Sequence, residues 1–181
     1  MVQEFTNAYG GIPSTSTAAN LTTNTQLKTY TDPGGFFTLQ YTDDWTVEYK
    51  QPVTKFDKPV VIFKYQLNSG VAISVKNSAV SSPQEFRDFY SSLAYSFANG
   101  IPGITIIGEG FGIYSIAGYD TYAFLFKDPN LRDPTNPVKG MMLFRRIGYK
   151  EMSIAFGAPP ESFDQQMPVV QKMIDSIKIT G

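Results

Sequence analysis

Between residues 104 and 157 the chain leaves almost no room between one extended run and the next, apart from the loop before Val138. ITIIGEG (104–110), FGIYSI (111–116), YDTYAFLFK (119–127), VKGMMLFRRIGY (138–149) and KEMSIAFG (150–157) follow one another. Ala117-Gly118 and Gly148-Tyr149-Lys150 supply turn signals between them. Parallel neighbours need a crossover of a dozen residues or more, whereas antiparallel ones need only a tight turn. The spacing therefore dictates an antiparallel sheet. Four earlier runs extend it. FFTLQY (36–41) follows the Pro33-Gly34-Gly35 turn, and WTVEYK (45–50) puts Trp45, Val47 and Tyr49 on one face. VVIFKYQL (60–67) and VAISVK (71–76) flank Asn68-Ser69-Gly70, read as a three-residue hairpin connection. Val71, Ile73 and Val75 then share the inner face.

Two segments break this alternation. Ser82-Pro83-Gln84-Glu85 combines an N-cap serine, a proline at the first helical position and a glutamate three residues after the cap. Phe86, Phe89, Tyr90, Leu93 and Phe97 follow at helical spacing, and all five are assigned to the core; Asn99-Gly100 stops the helix. Phe163, Met167, Val170, Ile174 and Ile177 recur at the same period through 161–177. Pro168 lies inside that pattern, so the helix is kinked there or begins near it. KIT (178–180) can add a closing edge strand. The expected fold class is α+β: a central antiparallel sheet of six or more strands with helices packed on it.

Residues 6–29 are rich in Thr, Asn, Ser and Ala with hardly any charge, too little apolar surface to offset ordering entropy. The expected organisation is a tether over 1–29 and one folded domain over 30–181. Residues 1–25 carry no signal-peptide pattern, and no apolar stretch reaches the roughly 20 residues that span a bilayer.

Composition removes several function classes. The formal net charge is −1 with no run of Lys or Arg, which leaves no basic face for nucleic acid or for electrostatic docking on an anionic membrane. Cysteine and histidine are both absent, excluding disulfides, thiolate chemistry, zinc fingers and Ser-His-Asp triads. Any metal site must use oxygen ligands, which favours calcium, magnesium or manganese.

Four places invite a functional reading. Asp43-Asp44-Trp45 pairs two carboxylates with the single tryptophan, but adjacent aspartates where a strand turns serve the turn, so the corner is read as architecture. The loop KDPNLRDPTNP (127–137) offers Asp128, Asn130, Asp133 and Asn136 as oxygen ligands for calcium. Its three prolines equally describe a rigid hairpin tip, and EF-hand spacing is absent. Gly108-Glu109-Gly110-Phe111-Gly112 does not precede a helix, so it reads as a hairpin turn or β-bulge rather than a phosphate loop. Arg145-Arg146 in an apolar strand is read as a local salt bridge to a carboxylate, with an interface anchor as the alternative.

The ordered landmarks resemble one family. Tyr41-Thr42-Asp43-Asp44-Trp45 is similar to the polar turn and Trp after the first strand of the PsbP family. Ser81-Ser82-Pro83-Gln84-Glu85-Phe86 resembles its "SPEEF" helix start. Ala158-Pro159-Pro160-Glu161 followed by Phe163 resembles its "APEERW" closing helix. The resemblance spans residues 30–180 and implies an α-β-α sandwich around an antiparallel sheet. It also implies a non-catalytic extrinsic subunit or lipoprotein of the thylakoid lumen or periplasm. The best-known member docks on photosystem II and helps retain calcium and chloride, and the same fold serves a Ran-binding nuclear import factor. The chain departs from the photosynthetic pattern in lacking histidine, a lysine-rich surface and a lipidated cysteine. Roles in photosynthetic and non-photosynthetic organisms both stay open.

The resulting expectation is a non-catalytic extracytoplasmic protein, without cofactor, that associates with a protein partner of a membrane-associated complex through loops around 51–58 and 127–137. The alternatives are a small-molecule or lipid binder with a pocket between the sheet and the Phe86/Phe89/Phe97 helix, and a calcium or manganese carrier centred on Asp128 and Asp133. No nucleophile, base and orienting group occur together to suggest an enzyme.

Overall fold

The computed structural model describes residues 26–52, 58–65, 68–116, 119–129 and 134–180. Ten strands and two helices are found among them. The strands are β1 (Leu27–Thr31), β2 (Phe37–Thr42), β3 (Thr46–Lys50), β4 (Val60–Tyr65), β5 (Ser69–Asn77), β6 (Thr105–Ile116), β7 (Tyr119–Asp128), β8 (Val138–Ile147), β9 (Lys150–Ala158) and β10 (Lys178–Ile179). The helices are α1 (Pro83–Gly100) and α2 (Pro160–Asp175). Seven strands form one antiparallel sheet in the order β3-β4-β5-β9-β8-β7-β6, and the other three form a small sheet in the order β1-β2-β10. The fold class is α+β, as the alternation and the two helical periods require.

Register explains how the layers separate. One row across the large sheet runs Phe63–Val71–Phe156–Met141–Leu125. It faces α2 and the small sheet, where Phe37, Leu39, Phe163, Val170 and Ile174 complete the larger core cluster. The adjacent row, Ile62–Ala72–Ala155–Met142–Phe124, points the opposite way. On that face α1 lies over β6, β7 and β8, and Phe86, Tyr90 and Ala94 bury against Tyr122, Phe124 and Phe144. Helices on opposite faces of one sheet make an α-β-α sandwich.

Several local expectations change here. The first strand begins at Leu27, inside the segment expected to be tether, and pairs with β2 from Leu27↔Thr42 to Thr31↔Thr38. Its short alternation, LKTYT, carried too little apolar signal to be read as a strand. The 104–110 and 111–116 runs are one strand, kept continuous by register shifts at Ile106/Gly108 and Phe111/Ser115. The glycines there make a bulge, since omitting a pairing residue bends the strand without ending it. Ser69 and Gly70 belong to β5, and the turn before them contains Asn68 with φ of 67°. Helix α2 begins at Pro160 and runs through Pro168 rather than starting there.

Candidate interaction surface

Helix α1 is fixed at both its start and its middle. Ser82 Oγ accepts the Glu85 N–H at 3.1 Å, as an N-cap serine should. The Glu85 carboxylate reaches one residue farther back than a capping box requires and accepts both the N–H and the hydroxyl of Ser81, each at 2.7 Å. Those hydrogen bonds, and more weakly the charge of Arg146, hold the Glu85 carboxyl below its ordinary range. Arg146 anchors the approach to the helix by donating to the carbonyls of Val80 (3.3 Å) and Ser81 (2.6 Å). Of the two arginines, Arg146 thus faces the chain leading into α1 and contacts its carbonyls.

A charged pair sits beneath the helix. Glu151 on β9 is almost fully buried and lies 2.9 Å from Lys76 on β5, its register partner. The Tyr90 hydroxyl hydrogen-bonds the same carboxylate, and burial first, then Glu151, pushes that hydroxyl well above the usual phenol range. Nearby, Tyr122 on β7 donates to Glu109 at 2.5 Å, so the buried tyrosines on both sides of the α1–sheet contact end on a glutamate.

The aromatic stripe of α1 does not all go inward. Phe86, Tyr90, Leu93 and Phe97 pack on the sheet, but Phe89 remains 45% exposed. At 100° per residue it lies at the margin of the stripe. It stacks edge-on against Tyr90 (4.9 Å), Tyr90 meets Phe86 (4.4 Å), and Phe86 meets Phe111 of β6 (6.2 Å). Phe111 is itself 38% exposed. The result is a connected aromatic ladder whose two ends reach solvent along the α1–β6 rim, with Tyr95 on the outer face of the helix 76% exposed. Sequence periodicity assigned Phe89 to the core and gave no sign that Phe111 would join the same ladder through Phe86.

The expected ligand pocket between sheet and helix is filled. Phe97 packs against Phe124 (5.3 Å) and Phe126 (5.1 Å), and Tyr90 against Phe144 (4.7 Å). A surface cleft of about 290 Å³ lies instead beside the helix start, lined by Pro83, Phe86, Arg145, Arg146, Ile147 and Gly148.

Of the expected metal ligands, Asp128 ends β7 opposite Val138, while Asn130 and Asp133 lie outside the described residues. The Asn136 side-chain oxygen Oδ1 accepts from Asn68 Nδ2 at 2.9 Å, tying the end of the 127–137 loop to the turn before β5. Most of the 51–58 loop also lies outside the described residues. Asp43 and Asp44 occupy an exposed turn closed by Trp45 N–H to Thr42 carbonyl at 3.1 Å, and the Trp45 ring is buried against Tyr65. That corner carries the chain from the small sheet into the large one.

No protein-family model matches the sequence, and no curated protein matches it. Solved structures do. Cyanobacterial PsbP (CyanoP) from Synechocystis sp. PCC 6803 superposes with a TM-score of 0.60 at 10% identity, over 92% of this chain and 99% of that one. The fold is PsbP-like. The PsbP-like arrangement is shared with LpqN of Mycobacterium tuberculosis, described as involved in cell envelope biogenesis (TM-score 0.55, 11% identity, 88% and 93% covered). The Saccharomyces cerevisiae Ran-binding protein Mog1p has it too (TM-score 0.52, 12% identity, 86% and 96% covered). The chain spans about half, 48%, of a longer Bacteroides thetaiotaomicron structure that it also matches. At these identities the likeness is one of fold. No described helix of this PsbP-like chain is long and apolar enough to cross a membrane.

Proposed function

We propose that this PsbP-like chain is a non-catalytic binding domain that acts outside the cytoplasm by docking on a protein partner in a membrane-associated complex. The observation that carries the reading is the aromatic ladder from Phe89 to Phe111. Large aromatic side chains left in water at the rim of a helix and an edge strand have the composition of an interface core. The low-charge Thr/Asn/Ser segment before β1 suits a domain held at a distance from an anchor. The likeness to a M. tuberculosis protein described as involved in cell envelope biogenesis is in keeping with that reading.

The test is binding of the full chain to detergent-solubilised membranes of its source organism, followed by reciprocal capture with the identified partner. Saturable binding to one protein is expected, with affinity falling at least about tenfold in Phe89→Ser/Phe111→Ser. Leu27→Ser should bind as the native chain does, because Leu27 is 63% exposed but lies on β1 of the small sheet, on the other side of the large sheet from the ladder. Equal binding by native and double-variant chains would overturn the proposal.

A further inference from the structure

The other face of the large sheet contains a pocket with a different chemistry. Where the chain turns from β1 into β2, a space of about 190 Å³ lies between that turn and strands β3 to β5. Phe37, Tyr49, Val61, Ile73 and Val75 supply an apolar lining. Asp32 and Lys150 also line it, so one acidic and one basic residue border a mostly hydrocarbon space. Neither charge is consumed by its partners. Asp32 Oδ2 accepts the Phe36 N–H at 3.1 Å, one of about four acceptor sites on a carboxylate. Lys150 Nζ donates to Asn77 Oδ1 at 2.9 Å, one of three donors on an ammonium.

The Tyr30 hydroxyl is buried and makes no hydrogen bond among the described residues. Burial pushes that hydroxyl up to about 12, and Asp32 and Tyr49 add to the shift. Both of those groups line the pocket; Tyr30 does not, and its hydroxyl is no part of the proposed site.

Size narrows the ligand. An apolar cavity of about 150 Å³ accepts benzene, and drug-sized molecules occupy about 300 Å³ or more. We propose that the pocket binds a small zwitterion with a compact apolar side chain, of the size and chemistry of a free aliphatic amino acid. Its ammonium pairs with Asp32, its carboxylate with Lys150, and its hydrocarbon lies among Val61, Ile73 and Val75. A simple amine would leave Lys150 facing a like charge, and a simple carboxylate would do the same to Asp32. The pocket and the α1–β6 rim lie on opposite faces of the sheet, so this site stands or falls independently of the docking surface.

Isothermal titration calorimetry of the full chain distinguishes the possibilities with three probes of one shape: leucine, isopentylamine, which lacks the carboxylate, and isocaproate, which lacks the ammonium. Leucine should bind saturably, at least about tenfold more tightly than either analogue. Lys150→Gln should weaken leucine and abolish its advantage over isopentylamine. Val75→Phe, which fills the pocket without altering charge, should eliminate binding while circular dichroism stays native; Lys150→Gln, at a half-exposed side chain, serves if Val75→Phe fails to fold. Absence of saturable heat with leucine, equal affinity for isopentylamine, or leucine binding unchanged in a folded pocket variant would each overturn the assignment.

Discussion

The Lys76 ammonium sits 2.9 Å from the carboxylate of Glu151, which is only 2% exposed. Desolvation makes a buried carboxylate costly once its cation is removed. Lys76→Met should therefore lose about 3 kcal/mol in denaturant unfolding. Adding Glu151→Gln should restore most of it, because the amide is neutral and still accepts from Tyr90. A Lys76→Met variant as stable as the native chain would show that the pair contributes nothing.

Gly140 on β8 faces Phe126 on β7 directly. A Cβ at Gly140 would lie 2.2 Å from Phe126 Cζ and 2.6 Å from Cε1, whereas one at Gly157 would meet Val138 Cγ1 at 3.4 Å. Gly140→Ala should cost about 1–3 kcal/mol through displacement of that ring from Phe97. Gly157→Ala should stay within about 0.5 kcal/mol of the native chain. Equal melting temperatures for the two variants would contradict this difference.

The two neighbouring phenylalanines of α1 should respond unequally. Phe86 is buried, and Phe86→Ala should cost about 3–5 kcal/mol by leaving a cavity under the helix start. Phe89→Ser should cost about 1 kcal/mol or less, since nearly half of the ring already meets water. Chemical denaturation of both variants measures the contrast, and a large loss in Phe89→Ser would place that ring in the core after all.

Glu85 supplies a pH signature. Its carboxyl is held below the ordinary value of 4.5 chiefly by hydrogen bonds from Ser81. A carboxylate with a lowered folded-state value adds stability above the unfolded-state value and loses it as pH falls through the folded-state one. The melting temperature of the native chain should exceed that of Glu85→Gln near neutral pH, with the gap closing on acidification below about pH 4.5. A gap that stays constant down to about pH 3 would mean the charge of Glu85 is not what fixes the helix start.

Alternation and capping made most of the architecture legible. Ser82-Pro83-Gln84-Glu85 located α1 to the residue, and Val71, Ile73 and Val75 identified the inward face of β5. Two kinds of information were missing. Periodicity reports which residues share a side of an element, not how wide the covering surface is, so Phe89 fell on the wrong side of the boundary. Burial of Glu151 depends on Lys76, 75 residues earlier by numbering, and on Tyr90 from a third element. Neither the two-sheet seam holding Asp32 and Lys150 nor the aromatic ladder was visible, because each joins segments that only the register brings together.

Strand β10 pairs with β2 through Lys178↔Thr38 and Ile179↔Phe37, and the Thr180 hydroxyl bonds the Gly35 carbonyl across 145 residues. Closing so long a loop costs conformational entropy before any contact is gained. The small sheet must therefore wait: β1 and β2 can form a hairpin early, but its open edge stays unpaired until the chain beyond α2 returns to it. During that interval the hydrogen-bonding edge of β2 is open to pairing with another copy. Conditions that slow the docking of α2 should raise aggregation before they lower the stability of the finished domain.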